Sequence, residues 1–325
     1  MPLLPLLVLW LWAASFAHAL PPAPMDPLRL AAAGGGTAWF DGYHPRRNPA
    51  AGALYSGRED VRLRLFWSPR TLRTPWDGGE AVTDQRLLGG ELGLPRLPLA
   101  LGAFAQARFQ RIQGLEEGRL VTRELWRVES GADVARLLVD RAGRGMRIAL
   151  GLTPKLVSLR PRAAREDPAL ADPSAPVLRS AHDARLDMDL GLAGSFRFHW
   201  RWALVGRDLF AGRTPWPDGS GAFGGPHWRA AGAYEGPRWA GTVELDVNAV
   251  HRGLGGRERR LVIAARVNLT GVRLYTGVAP DLLGNAPLRW GTGLAVAWRG
   301  LSLEAALQRS GPGGGITALG LGWAF

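Results

Sequence analysis

Residues 196–204 read Phe-Arg-Phe-His-Trp-Arg-Trp-Ala-Leu, and this alternation leaves the chain few possible folds. In an extended strand, successive side chains point to opposite faces. Phe196, Phe198, Trp200, Trp202 and Leu204 then share one face, and Arg197, His199 and Arg201 share the other. Four large aromatics in succession cannot face water, and arginines at this density cannot fill an apolar core. A sheet whose aromatic face meets lipid and whose polar face meets a wet interior satisfies both demands. A soluble secreted β-protein, the rival arrangement, has to bury the aromatic face under a second sheet.

The same division recurs along the second half. Leu186, Met188 and Leu190 oppose Arg185, Asp187 and Asp189. Val243 and Leu245 oppose Glu244 and Asp246, and Ile263 and Val267 oppose Arg266. Leu274 stands against Arg273, and Trp290 and Leu294 against Arg289. In the final segment, Thr317, Leu319, Leu321, Trp323 and Phe325 share a face, with small residues between them. Trp323 and Phe325 fit an interfacial aromatic at a closing strand and resemble the signal read by the barrel-assembly machinery. Helical periodicity is nearly absent. The expected fold is all-β, a transmembrane antiparallel β-barrel of about 14 strands, each long enough to cross a bilayer when tilted. The spacing predicts strands at 58–67, 97–109, 119–129, 132–142, 145–160, 181–193, 196–207, 227–235, 238–251, 258–268, 270–279, 288–299, 301–309 and 315–325. Residues 82–94 compete with the first four of these. From the fifth strand on, connections alternate between longer loops and turns as short as Gly194-Ser195, Gly236-Pro237 and Gly300. Barrels with tight periplasmic turns and longer outer loops show this rhythm.

Both ends of the chain are informative. Leu3 to Phe16 is an apolar run followed by Ala17-His18-Ala19, which reads as an export signal over residues 1–19, although no Lys or Arg precedes the run. The run is too short to span a bilayer as a helix. The formal net charge of +12 is almost wholly arginine, Lys155 being the one lysine. These arginines are spread singly rather than gathered on a stripe, which argues against a nucleic-acid partner and for a polar lumen or an anionic lipid surface. The inward set Arg147, Arg185, Arg197, Arg201, Arg266, Arg273, Arg289 and Arg299 outnumbers the acids beside it, so a net positive lumen is expected. Outer-membrane lipid is the expected surrounding partner, and the barrel is expected to be a monomer that holds a small-molecule ligand at most. Fourteen Trp against four Tyr suits membrane interfaces.

Residues 20–57 lack period-two order and carry Gly34, Gly35 and Gly36, then Asn48, Pro49 and Ala50. Their small side chains suit tight packing, so this segment is expected to form a hatch or plug inside a barrel of residues 58–325. In Asn48-Pro49, Pro sets the backbone and Asn can bond its own chain, which favours a tight turn. Together, the glycine run and Asn48-Pro49-Ala50 resemble the N-terminal hatch of the long-chain fatty-acid transporter (FadL-like) family. Later segments resemble that family's conjugal-transfer TraF-like outer-membrane branch: Ile148 to Lys155, Ala184 to Gly191 and Trp202 to Phe210. The resemblance implies a 14-stranded barrel. The favoured function is passive transport of a small hydrophobic or anionic compound or a scaffold role in a conjugation-type envelope assembly.

No Gly-x-Ser-x-Gly elbow, Walker loop or His-Glu-x-x-His appears, and no His has metal-ligand spacing. No catalytic residue, metal or cofactor is therefore expected. An outer-membrane enzyme acting on lipid remains the rival class, and it needs a Ser–His pair within hydrogen-bond reach. The mature chain is expected to fractionate with outer membranes and to migrate faster on a gel unheated than boiled. Recovery as a soluble periplasmic monomer without detergent contradicts the barrel.

Overall fold

The computed structural model describes residues 48–54, 61–68, 74–76, 79–94, 99–116, 119–141, 143, 145–166, 177–197, 199–219, 222–251, 257–284, 288–310 and 315–324. Fourteen strands among them form one closed antiparallel barrel. In chain order they are β1 (Arg62–Ser68), β2 (Gly79–Leu94), β3 (Ala100–Glu116), β4 (Arg119–Arg141), β5 (Met146–Glu166), β6 (Asp183–Phe196) and β7 (Trp200–Arg207). The second half comprises β8 (His227–Glu235), β9 (Trp239–Asp246), β10 (Leu261–Leu269), β11 (Val272–Ala279), β12 (Arg289–Trp298), β13 (Leu301–Ser310) and β14 (Gly315–Ala324). Each strand pairs with its chain neighbours, and β1 pairs with both β2 and β14. That last pairing, with Leu65 opposite Leu321, closes the ladder. No helix among the described residues is long and apolar enough to cross a membrane.

The inside and outside of the wall follow the alternation. Leu186, Val243, Ile263, Leu274, Leu294, Leu319 and Leu321 are exposed on the outer face. Asp187, Asp189, Glu244, Asp246, Arg266 and Arg289 are buried on the inner one. Aromatics border this outer surface at two levels. At the short-turn rim, the Tyr234 ring stacks on Trp239 with centroids 4.6 Å apart and meets Trp200 edge-on at 5.5 Å. Towards the long-loop rim, Phe109 and Trp126 lie 4.6 Å apart on the outer face. From Trp290 to Trp298 on β12 the strand runs about 27 Å along its own axis, which at a tilt of about 35–45° is about 20 Å of height, most of the apolar band of a membrane barrel.

Strands β2 to β5 are much longer than a crossing needs. A strand of 23 residues such as β4 extends about 75 Å, whereas about 9–11 residues span a bilayer. Beyond Trp126, the outer face of this extension turns polar, with Glu124 lying 3.7 Å from both Arg111 and Arg162. The apolar outer pattern therefore stops at this level of the wall.

Two strand boundaries differ from expectation. Residues 119–129 and 132–142 belong to the single strand β4, and residues 79–94 supply β2, so the count of fourteen stands on different members. Glu129-Ser130-Gly131 looks like a turn in sequence, yet Gly131 is an inward strand position that makes room for its neighbours. A Cβ there would lie 2.8 Å from the Phe104 ring and 2.9 Å from Lys155 Cβ. The segment 196–207 is likewise not one strand. β6 runs on to Phe196, and the turn falls at residues 197–199 instead of Gly194-Ser195. Arg197 there takes a φ of 50°, and its guanidinium lies 5.0 Å from the Phe196 ring centroid.

Leu294 sits midway between Trp290 and Trp298 and faces outward. Leu294→Arg is expected to lower the unfolding free energy by about 2–4 kcal/mol in lipid vesicles, and Trp200→Arg at the rim by about 0–1 kcal/mol. Denaturant titration checks this, and equal losses would contradict the assigned membrane band.

Candidate functional site: the barrel lumen

A notch in the inner wall receives the Asn48-Pro49-Ala50 segment. Asn48 Oδ1 accepts a hydrogen bond from the Ala50 amide at 3.0 Å, and the Asn48 carbonyl accepts one from the Ala51 amide at 3.0 Å. This is the self-bonded turn expected of Asn before Pro. A single helical turn, α1 (Ala51–Leu54), follows and packs against β4, β5 and β6. Opposite the turn, Gly151 of β5 and Gly191 of β6 pair directly. A Cβ on Gly151 would fall 2.2 Å from the Pro49 carbonyl carbon, and one on Gly191 would fall 2.4 Å from Asn48 Oδ1. Only a wall without side chains at these two places admits the segment. Around it lie Ala149, Ala193, Ala203, Ala233, Ala240 and Ala264, with Tyr275 and Ile316, all buried.

The charged groups of the lumen are gathered into ion pairs. On one side, Glu235 accepts from Arg201 at 3.3 Å and from Arg266 at 3.1 Å. At the opposite end of the β8–β9 pair, Asp246 bonds His227 Nε2 at 2.8 Å and Arg229 Nε at 2.7 Å, and accepts from the Arg260 amide at 3.1 Å. Glu258 bridges Arg260 at 3.0 Å and Arg289 at 2.8 Å. Near the seam, Arg64 of β1 bonds Glu304 of β13. Removing one partner of a buried pair leaves an uncompensated charge in a low-dielectric site, which is the costly step.

At the long-loop rim the loop after β7 folds inward. Asp208 takes a φ of 52° there. Its carboxylate accepts from Arg127 at 2.8 Å and from Lys155 at 2.6 Å, and Lys155 also bonds Asp189. Asp187 accepts from the Phe210 amide at 3.0 Å. Farther along, Trp216 is buried against Leu125, Val157, Leu159 and Ala163 of the tall β4–β5 wall, making an apolar cluster in the mouth.

Of the residues picked from sequence, Asp187, Asp189, Arg201, Glu244, Asp246, Arg266 and Arg289 lie on the inner wall, and Arg185 and Arg273 are half-buried inner positions. Arg185 holds Asp183 at 2.9 Å. Arg197 and His199 are corrections: both are exposed in the β6–β7 turn, where His199 Nδ1 meets the Glu235 carbonyl at 3.1 Å. Arg299 likewise sits in a turn, with a φ of 46° and its guanidinium over Trp298. Trp323 faces outward, whereas Gly34, Gly35, Gly36 and Phe325 lie outside the described residues. The expected positive excess shrinks, because two of its arginines are rim residues, while the further inner anions Glu91, Glu129, Asp133, Glu235 and Glu258 are matched by Arg64, Arg127, Lys155, Arg229 and Arg260. Sequence reading passed over Arg127, Asp208, Arg229 and Glu258. The i, i+2 spacing of Arg127 with Glu129, and of His227 with Arg229, was the available signal.

A Ser–His contact does exist, on the outer face: Ser158 Oγ lies 3.3 Å from His182 Nε2. Among the described residues no carboxylate bonds that imidazole, which a hydrolytic triad requires. No group of metal-ligating side chains occurs among them either.

The barrel has the fold of solved aromatic-hydrocarbon transporters. It is similar to the Ralstonia pickettii toluene transporter TbuX, with a TM-score of 0.60 and 11% identity over 93% of this chain and 98% of that one. It is also similar to a ΔS2S3 mutant of TodX, a monoaromatic hydrocarbon channel, with a TM-score of 0.62 and 9% identity over 92% and 98%. No protein-family model and no curated sequence matches the chain.

The notch gives a direct prediction. Gly151→Val is expected to destabilise the seated Asn48–Leu54 segment by roughly 1–3 kcal/mol through overpacking. Since the chain has no cysteine, Ala53→Cys reports on this. Its thiol should react about 5- to 150-fold faster when Gly151→Val is added. Unchanged reactivity would show that the segment does not need the notch.

Proposed function

We propose that this protein is a plugged, passive channel of the bacterial outer membrane for a small, mainly apolar solute. The observation that carries the proposal is the seating of Asn48-Pro49-Ala50 on Gly151 and Gly191 inside a closed barrel. The state of the inner wall supports the apolar preference. Its charged groups are engaged with one another, so a charged solute would have to compete for them, whereas the alanines, Ile316 and Tyr275 form one apolar cluster with Ala50, Ala51 and Leu54, a surface that a solute reaches when that segment moves. The cluster around Trp216 gives an apolar solute a first contact at the mouth. The toluene and monoaromatic-hydrocarbon specificity of the two similar barrels is in keeping with this reading.

In this reading, residues 1–19 are the export signal, 20–57 the hatch and 58–325 the barrel. Gly34 to Gly36 belong to the hatch, Trp323 and Phe325 to the assembly signal, and the barrel works as a monomer in lipid. The TraF-like branch of the FadL-like family is the placement we favour, on the segments around Gly151, Gly191 and Gly206.

Planar-bilayer recording tests the channel. The intact mature chain is expected to show little steady conductance, and deletion of residues 21–52 to open a pore with a weak anion preference. The preference is weak because the inner cations are largely paired. A wide-open pore in the intact chain would remove the plug, and cation selectivity after deletion would contradict the account of the wall.

A further inference from the structure

The outside of the barrel carries a feature that passage through the lumen does not use. Between β4, β5 and β6 lies a groove of about 550 Å³ lined mainly by Val128, Ser130, Leu156, Ser158, Ala184 and Leu186, with the inner-facing Val157 and Arg185 also in its wall. Strand register explains its shape. Val128, Ser158 and Ala184 form one outward rung, and Ser130, Leu156 and Leu186 form the next. Ser158 and Ala184 are short, whereas Leu156 and Leu186 stand out from the wall at 59% and 72% exposure. The rung above pairs Trp126 with Arg160, at the level where the outer surface changes from apolar to polar. His182 reaches the same place through its contact with Ser158.

Arg160 differs from the arginines around it. Arg111 and Arg162 share the Glu124 carboxylate, whereas Arg160 is exposed and has no ion pair or hydrogen bond among the described residues. An exposed guanidinium and an imidazole thus sit at the head of an apolar groove. This pattern matches one class of molecule, with an acyl chain for the groove and a phosphate for the guanidinium, whose planar fork suits phosphate oxygens. A free phosphate would meet only an exposed, well-hydrated cation, where an ion pair contributes little. The apolar walls require the attached chain.

We infer that this groove is a binding site for a phosphorylated, acylated lipid of the outer leaflet, of the lipid A class. One acyl chain lies between Leu156 and Leu186, and a phosphate sits on Arg160 with His182 beside it. The inference rests on the outer-membrane location proposed above, and it concerns the lipid-facing wall and not the lumen.

Native mass spectrometry of the detergent-solubilised mature chain tests it, with bisphosphorylated lipid A and its dephosphorylated form as probes. The phosphorylated lipid is expected to be retained about two- to fivefold better, the size of one solvent-exposed ion pair. Arg160→Gln should abolish that preference, and Ser158→Leu, which fills the groove with a lipid-compatible side chain, should lower retention of both forms. Arg238→Gln in a short-rim turn should change neither. Equal retention of the two lipids, or undiminished binding by Arg160→Gln or Ser158→Leu, would overturn the site. Release of a fatty acid by the native chain would also overturn it, because Ser158 and His182 would then act as reactive groups. Heat-modifiable migration of each variant separates the two levels of the argument. Folded barrels that fail to bind contradict only the groove, whereas a chain that forms no membrane barrel contradicts the location beneath it.

Discussion

Backbone hydrogen bonding without water governs this structure. Every amide and carbonyl facing lipid must find a partner within the protein, and a sheet can meet that demand only if it has no edge. Pairing of β1 with β14 removes the last edge. The apolar outer face follows from the same requirement, as does the even strand number, which returns β14 to the rim where β1 begins. The lengthening of β2 to β5 is allowed because their upper parts carry polar outer residues and stand clear of the apolar band.

Closure creates an interior that has to be filled or wetted, and the chain treats its two halves differently. Around Asn48–Leu54 the wall is built from alanines and paired glycines, so backbone packs on backbone. Elsewhere, arginines and carboxylates from neighbouring strands satisfy one another, which limits the cost of holding charge in a partly desolvated space. The inward-folded loop at Asp208 ties the mouth to the same network through Arg127 and Lys155. An interior of this kind has few free ionic groups and favours a neutral solute, which links the packing to the proposed transport.

Much of this architecture was legible in the sequence because a lipid-facing strand must alternate. From Asp183 onward, each outward leucine or tryptophan marks its neighbours as inward, and the inner positions of Asp187, Glu244, Arg266 and Arg289 could be read directly. Reading failed where another force sets the residue. Gly131 looks like a turn because it lacks a side chain, but it is small to accommodate Phe104 and Lys155. Arg197 and His199 keep the alternation of β6 and β7 through a turn, so periodicity alone could not show that the chain reverses there. The pairing of Arg229 with Asp246, or of Asp208 with Lys155, depends on strand register and on a loop path, neither of which a linear pattern contains.

The closed ladder can be tested directly because the chain has no cysteine of its own. Leu65 and Leu321 face each other across the β1–β14 seam, on the outer surface. A double Leu65→Cys, Leu321→Cys variant, oxidised mildly in membranes, measures whether that seam exists. The account predicts an intramolecular disulfide that keeps the denatured chain compact on a non-reducing gel, while Leu65→Cys with Leu294→Cys, on a strand away from the seam, gives none. Failure of the first pair to cross-link in folded, membrane-inserted protein would contradict a barrel closed between these strands.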